Sequence, residues 1–230
     1  MPLVRSCVTN ASSATALIRL LSWLSPVFPT GGFAYSSGLE NAMHNGLVKT
    51  QDDLKDWLQT LINNGPMRND MILLAQSWRL AKAGKPCNEV ANLAIALGGS
   101  AERHLELTAQ GSAFVLAVEN WPFETSPDFG GLHPLPVVVG GYCGVGDIDL
   151  ESALIGYLQA FVTNQLQAAI RLSVLGQSGA AQILATLEAD IARMAAFCSQ
   201  STLDDLGSAT INADIASMNH ETQTVRLFRS

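Results

Sequence analysis

Charge is what this 230-residue sequence has least of. It holds 13 Lys and Arg and 20 Asp and Glu, so charged residues make up 14% of it; a soluble chain ordinarily carries about 25%. The formal net charge is -7. A chain this poor in Lys and Arg lacks the basic footprint for nucleic acid or an anionic membrane surface. The four cysteines (Cys7, Cys87, Cys143 and Cys198) stand far apart with no CxxC. That pattern speaks for reduced thiols in the cytoplasm and against a disulfide framework. Met1–Ser13 has no apolar signal core. The uncharged run between Asp128 and Asp147 is broken by prolines and glycines, and Ser152–Ile170 is studded with Gln159, Asn164, Gln165 and Gln167. Neither run reads as a membrane span. A cytoplasmic protein is the expectation.

The signatures of common chemistries are missing too. Gly84-Lys85-Pro86 is the only Gly-Lys pair and lacks the hydroxyl residue of a phosphate-binding loop. There is no HExxH and no Cys/His pair at metal-ligand spacing. His44, His104, His133 and His220 are scattered. The glycines of Gly140–Gly146 miss the GxGxxG spacing and read as a place where backbones pass closely. Cys143 has no cationic sequence neighbour that would make it a nucleophile. The expectation is no catalytic residue, no metal-ligand set and no tightly bound cofactor.

What is present is helical punctuation around a 48% apolar composition. Thr50-Gln51-Asp52-Asp53 opens a helix as a capping box, and Leu54, Trp57, Leu58, Leu61 and Ile62 form its apolar stripe. Met67, Met71, Leu74, Ala75 and Trp78 stripe the next helix, which ends at Gly84-Lys85-Pro86. Asn88 is placed to cap a short helix. Ser100 caps another, with a predicted buried face of Leu105, Ala109, Ser112 and Leu116. Trp121–Pro136 holds four of the nine prolines and reads as a long surface connection; Val137–Val139 is ambiguous between strand and helix. No proline follows Pro136, which suits long helices. Ser152–Leu187 contains Arg171 as its single charge and reads as a helix at a bundle centre or interface, broken at Gly176–Gly179. Ile183, Leu187, Ile191 and Met194 stripe the helix after it. Ser199–Met218 is polar and weakly patterned. The fold class is all-α, one domain. So few charges, over a surface on the order of 10,000 Å², mark a protein that hides much of its outside against partners.

Two segments carry the most information. Ser25–Glu40 holds two prolines and two consecutive glycines that force a shaped loop. A helix starting near Ala34 would put Tyr35, Gly38, Leu39 and Ala42 on one face, with Gly38 tolerated because another backbone passes close by. Phe33 and Tyr35 are the residue types that anchor interfaces. At the other end, Leu227 and Phe228 are costly to expose unless they dock, on the chain's own body or on another protein.

The first of these segments, SPxFPxGxFxYSxGLE, resembles the signature of the UreF family of urease accessory proteins. Ser100-Ala101-Glu102-Arg103 with Gln110-Gly111, His133 through Gly140, and Gln167–Leu172 with Leu175-Gly176-Gln177 resemble further family segments, as does His220-Glu221 with Arg226–Ser230. The similarity is collinear from about residue 18 to 230. Ser173-Val174 and Gly179-Ala180-Ala181 depart from the family pattern.

The resemblance implies one UreF-like helical domain over 1–230, a bundle of about eight to ten helices with a C-terminal tail. Residues 1–15 and about 200–230 are expected to be mobile without partners. It implies a dimeric, non-catalytic adaptor that joins UreD (UreH in some organisms) and the GTPase UreG. That complex delivers nickel to apo-urease, the complex and not the adaptor alone handling the ion. The partner-binding residues implied are Pro29, Gly31, Phe33, Tyr35, Ser36, Gly38, Leu39, Glu40, Arg171, His220, Glu221, Arg226, Leu227, Phe228 and Arg229. The rival readings are a scaffold for another metallochaperone GTPase, an α-helical enzyme using Glu40 or Glu102 with a nearby His, and an apolar-ligand binder at Ser152–Leu187.

Overall fold

The structure, a computed structural model, describes residues 3–230, with side chains from Ser13 onward. Among the described residues it is all-helical: α1 (Leu3–Trp23), α2 (Leu39–His44), α3 (Gln51–Asn64), α4 (Pro66–Lys82), α5 (Asn88–Ala96), α6 (Ala101–Val118), α7 (Leu135–Val145), α8 (Leu150–Arg171), α9 (Gln177–Gln200) and α10 (Ile211–His220). Single 3-10 turns lie at Gly32–Ala34 and Leu203–Asp205.

The centre is α7. Its sequence LPVVVGGYCGV has no charge, and everything from Pro136 to Gly144 is buried. The strand-or-helix ambiguity at Val137–Val139 resolves as helix, because Pro134 and Pro136 are tolerated at a helix start and the segment is enclosed by α4, α5, α6 and α8. The close backbone approach expected at the glycines is there. A Cβ on Gly140 would sit 2.3 Å from the Leu74 carbonyl oxygen, and one on Gly144 would sit 2.6 Å from that of Trp78. So α4 and α7 touch along their main chains, and only glycine permits it.

The α3 capping box forms as expected: Thr50 Oγ1 accepts from Asp53 N at 3.1 Å, and Asp53 returns the bond to Thr50 N at 2.9 Å. Ser100 Oγ likewise accepts from Arg103 N at the start of α6. Asn88, by contrast, is the first residue of α5 and its side chain caps nothing; Cys87 is the N-cap residue. Ile183, Leu187, Ile191 and Met194 are buried along α9.

Two expectations fail. The Trp121–Pro136 connection is not simply a surface strap: Phe129 is buried, and Trp121 and Phe123 pack on Trp23, whose ring meets Phe114 edge-on at 6.2 Å. Pro122 and Pro127 lie in the stretch without a helix between α6 and α7, but the aromatics still pin the segment inward. The predicted face of α6 is the wrong one. Leu107, Gln110, Gly111, Phe114 and Val118 are buried, while Leu105, Ser112 and Leu116 face outward. Gly111 decides the orientation, since a Cβ there would overlap the His133 carbonyl oxygen.

Cys87, Cys143 and Cys198 are buried free thiols; Cys7 lies outside the described side chains. Burial pushes the thiols of Cys143 and Cys198 up to about 12, which leaves both unreactive. Among the described residues, no helix is long and apolar enough to cross a membrane.

Candidate functional site

The two informative segments, nearly two hundred positions apart, meet. The loop after α1 reaches the 3-10 turn Gly32–Ala34 through Gly31, whose φ of 73° is left-handed. The chain then runs extended at Tyr35, and α2 starts at Leu39, five residues later than Ala34. Gly38 is therefore the N-cap of α2, with φ 82°. The backbone anticipated beside it is that of α10: a Cβ on Gly38 would sit 3.0 Å from Ser217 N.

α10 is a helix that sequence pattern did not reveal. Its buried side consists of Ala213, Ala216 and His220, and its outward side carries Ile211, Ile215 and Met218. The usual amphipathic order is inverted. A periodicity that equates apolar with buried finds no stripe of the expected kind there.

Beyond α10 the chain turns back and lies against the loop. Arg229 N donates to Ala34 O at 2.7 Å, Ser36 N donates to Ser230 O at 2.7 Å, and the Ser36 hydroxyl donates to the same Ser230 oxygen. Phe228 is buried under the Arg171 guanidinium, 4.3 Å from the ring centroid. Arg171 also donates to Phe33 O at 2.6 Å. Asn164 of α8 donates to Tyr35 O. Arg171 thus holds loop and tail together with one side chain, through a cation–π contact and a charge-assisted hydrogen bond.

Glu40 and His220 form the heart of the arrangement. Glu40 accepts from Leu227 N at 2.7 Å and Phe228 N at 3.0 Å, and faces His220 Nε2 at 2.9 Å. His220 is 0% exposed, and its Nδ1 lies 2.8 Å from Glu102 Oε2. Arg226 donates to Glu102 Oε1 at 2.9 Å, and Glu221 accepts from Ala101 N at the start of α6. Burial raises the Glu40 pKa, but the hydrogen bonds from His220, Leu227 and Phe228 outweigh it and hold the carboxyl below its ordinary value.

A second polar cluster lies behind the first. The half-buried Arg103 guanidinium pairs with Asp70 and Glu106, Tyr157 Oη donates to Asp70 at 3.0 Å, and Ser37 Oγ donates to Glu106 at 3.0 Å. Burial pushes the Glu106 carboxyl and the Tyr157 phenol above their ordinary values. Ser37 has a φ of 51°, so the loop takes strained backbone where it reaches this cluster. Periodicity alone could not find Asp70, Glu106 and Tyr157; the pairing joins three helices distant in sequence.

The structure therefore gathers most of the anticipated residues but sorts them by role. Tyr35, Ser36, Gly38, Leu39, Glu40, His220 and Phe228 are buried and build the clasp. Pro29, Phe33, Glu221, Arg226, Leu227 and Arg229 are exposed, and Gly31 is half-buried. Arg171 counts as exposed yet is engaged on both sides. Phe33 at 71%, Val225 at 82% and Leu227 at 53% exposure stand outward on the loop and tail, as Ile211, Ile215 and Met218 do on α10. The carboxylates around His220 already accept from protein donors. Among the described residues no group of three or more His, Cys, Asp or Glu is arranged to hold a metal ion.

The UreF family model matches residues 48–188. Urease accessory protein UreF of Brucella ovis is 51% identical over 226 residues, covering 97% of both chains. Urease accessory protein UreF of Mesorhizobium japonicum is 48% identical over 223 residues, covering 97% of this chain and all of the relative. With the family model matched over residues 48–188 and relatives similar over nearly their whole length, this chain belongs to the UreF family of urease accessory proteins.

Proposed function

We propose that this chain is a cytoplasmic, non-catalytic adaptor of urease maturation, which as a homodimer joins UreD (UreH) to the GTPase UreG so that nickel, the cargo of the complex, reaches apo-urease. The observation that carries the reading is the inverted α10 together with the outward apolar side chains of the tail. Ile211, Ile215, Met218, Val225 and Leu227 face outward on elements whose inward faces are made of alanine, histidine, Phe228 and main-chain hydrogen bonds. A chain with so few charges has little reason to place these side chains in water unless a partner covers them. UreD is assigned to this face. The outward stripe of α6, with Leu105 and Leu116 flanking the small Ala109 and Ser112, is assigned to the second copy, since small residues in mid-stripe let two helices approach. The dimer then presents UreG.

The test is copurification with tagged UreD and UreG, together with nickel-dependent urease activity in cells. Ile215→Asp combined with Leu227→Asp is expected to abolish UreD capture and urease activation while the dimer persists. Leu116→Arg is expected to weaken the dimer in light scattering without unfolding the chain. Undiminished UreD capture by the double variant refutes the surface assignment. Fully active urease in cells lacking this chain refutes the adaptor role.

A further inference from the structure

Behind the clasp, two buried carboxylates share one cation. Asp70 of α4 and Glu106 of α6 are 4% and 6% exposed, and among the described residues Arg103 is the one cation paired with either. The sharing is unequal. One guanidinium nitrogen lies against Asp70, which also accepts from Tyr157 Oη at 3.0 Å. The other stands 3.4 Å from Glu106 Oε2, longer than the roughly 2.7–2.9 Å of a charge-assisted N–H···O bond. The remaining partners of Glu106 are neutral: Ser37 Oγ at 3.0 Å and Gln110 Nε2 at 3.3 Å, both on Oε1. A second negative charge here has no cation of its own. A buried charge without a partner is costly enough that the group takes up a proton instead. That proton has somewhere to point, since a protonated carboxyl has one O–H donor and keeps acceptor capacity. With the proton on Oε1, Glu106 donates to Ser37 Oγ, still accepts from Gln110 and still turns Oε2 to Arg103.

We propose that Glu106 is a buried proton site of the bundle: Asp70 is the ionised partner of Arg103, and the folded chain keeps a proton on Glu106 at about pH 6, where an exposed glutamate has given its own up. The groups on each neighbouring element support it. On α6, Arg103 is committed first to Asp70, and Glu102, one turn back, is met by Arg226 at 2.9 Å and by His220 of α10. From α4 comes the negative charge of Asp70, while Arg68 is turned away to the Asp205 carbonyl. From α8 comes Tyr157, whose phenol burial keeps neutral. No residue of α7 is charged, and His133 before it sets its ring against Phe129. The loop brings only the Ser37 hydroxyl. Burial and the Asp70 charge push the Glu106 carboxyl up and outweigh Arg103 and Ser37, which pull it down. Folding therefore takes a proton up. The stability this contributes is complete below the ordinary value of 4.5 and is lost as the pH rises through the higher native one. The proposal is independent of the adaptor reading.

The experiment compares the full chain with Glu106→Gln, which keeps the shape and a donor toward Ser37 but cannot ionise. Folding equilibrium constants are measured in urea from about pH 5 to about pH 8, above the ordinary glutamate range. Glu106→Gln is expected to gain on the unaltered chain as the pH rises, by up to about tenfold in that constant per pH unit, the weight of one proton. In isotope-labelled unaltered protein, the carboxyl carbon of Glu106, assigned through its own backbone, is expected to show the protonated form at about pH 6. In Asp70→Asn, Glu106 becomes the only carboxylate facing the guanidinium, and its titration is expected to move to lower pH. A constant difference between the two proteins overturns the proposal, as does Glu106→Gln losing ground with rising pH. So does an ionised Glu106 at about pH 6, or a titration in Asp70→Asn unmoved or moved to higher pH. Should a variant fail to fold, the carbon shift of the unaltered chain decides alone.

Discussion

The α4–α7 contact and the loop–tail clasp hold helices in opposite ways. In the first, glycines bring two backbones together among largely apolar side chains, with Ser77 Oγ of α4 donating to the Val137 carbonyl of α7 at 2.7 Å. In the second, a short tail is held by main-chain hydrogen bonds, two carboxylates, one imidazole and two guanidiniums, with Phe228 as its single buried large side chain. Dispersion and apolar burial summed over a whole helix yield only to global unfolding. A clasp whose binding energy sits in a few charge-assisted bonds opens locally when one of them is lost.

The largest expected effect separates the two regions. Glu40→Ala removes the acceptor of the Leu227 and Phe228 amides and leaves His220 with one carboxylate. Breaking a buried pair of this kind costs about 3–5 kcal/mol. The loss should appear as tail exchange and proteolysis after α10, with the core amides of α7 nearly unchanged. Equal loss of protection throughout would erase the distinction. Acid should act on the same carboxyl. Because Glu40 is held below its ordinary 4.5, its stabilising contribution is complete above that value and disappears as the pH falls through the lower native value. Gly140→Ala is the counterpart. Its Cβ would meet the Leu74 carbonyl, a backbone atom that cannot swing away. Overpacking there costs about 3 kcal/mol, seen as one cooperative shift in denaturant midpoint for core and clasp together.

The same contrast explains what was legible in the sequence. The capping box at Thr50, the stripes of α3, α4 and α9, and the close approach at Gly140 were readable because each is local or follows from an apolar period. The loop could be singled out by its prolines and glycines, and Gly38 by the backbone it admits. The α6 face was misread because Gln110 and Gly111 look like surface residues, yet Gly111 admits the His133 main chain and Gln110 accompanies it inward. α10 was missed because its buried face is alanine and histidine while its isoleucines point outward. The partner of His220 was unreadable for a different reason: Glu40 lies 180 positions away, and no pattern within one helix encodes that pairing.

The smallest expected effect is also the sharpest comparison, because it uses one kind of bond in both regions. Thr50 and Ser100 are each N-cap residues whose side chains accept from the backbone three positions on. Truncating either to alanine should cost about 1 kcal/mol. Thr50 belongs to α3 alone, so Thr50→Ala should lower the midpoint of global unfolding and leave the tail's exchange untouched. The Ser100 hydroxyl also meets Ser217 Oγ of α10 at 2.8 Å. Ser100→Ala should therefore lower that midpoint by a similar amount and, in addition, speed exchange in α10. If the two variants prove indistinguishable in α10, the helix carrying His220 is held by the carboxylates alone, and the border between core and clasp lies at the Glu102 side chain and not at the start of α6.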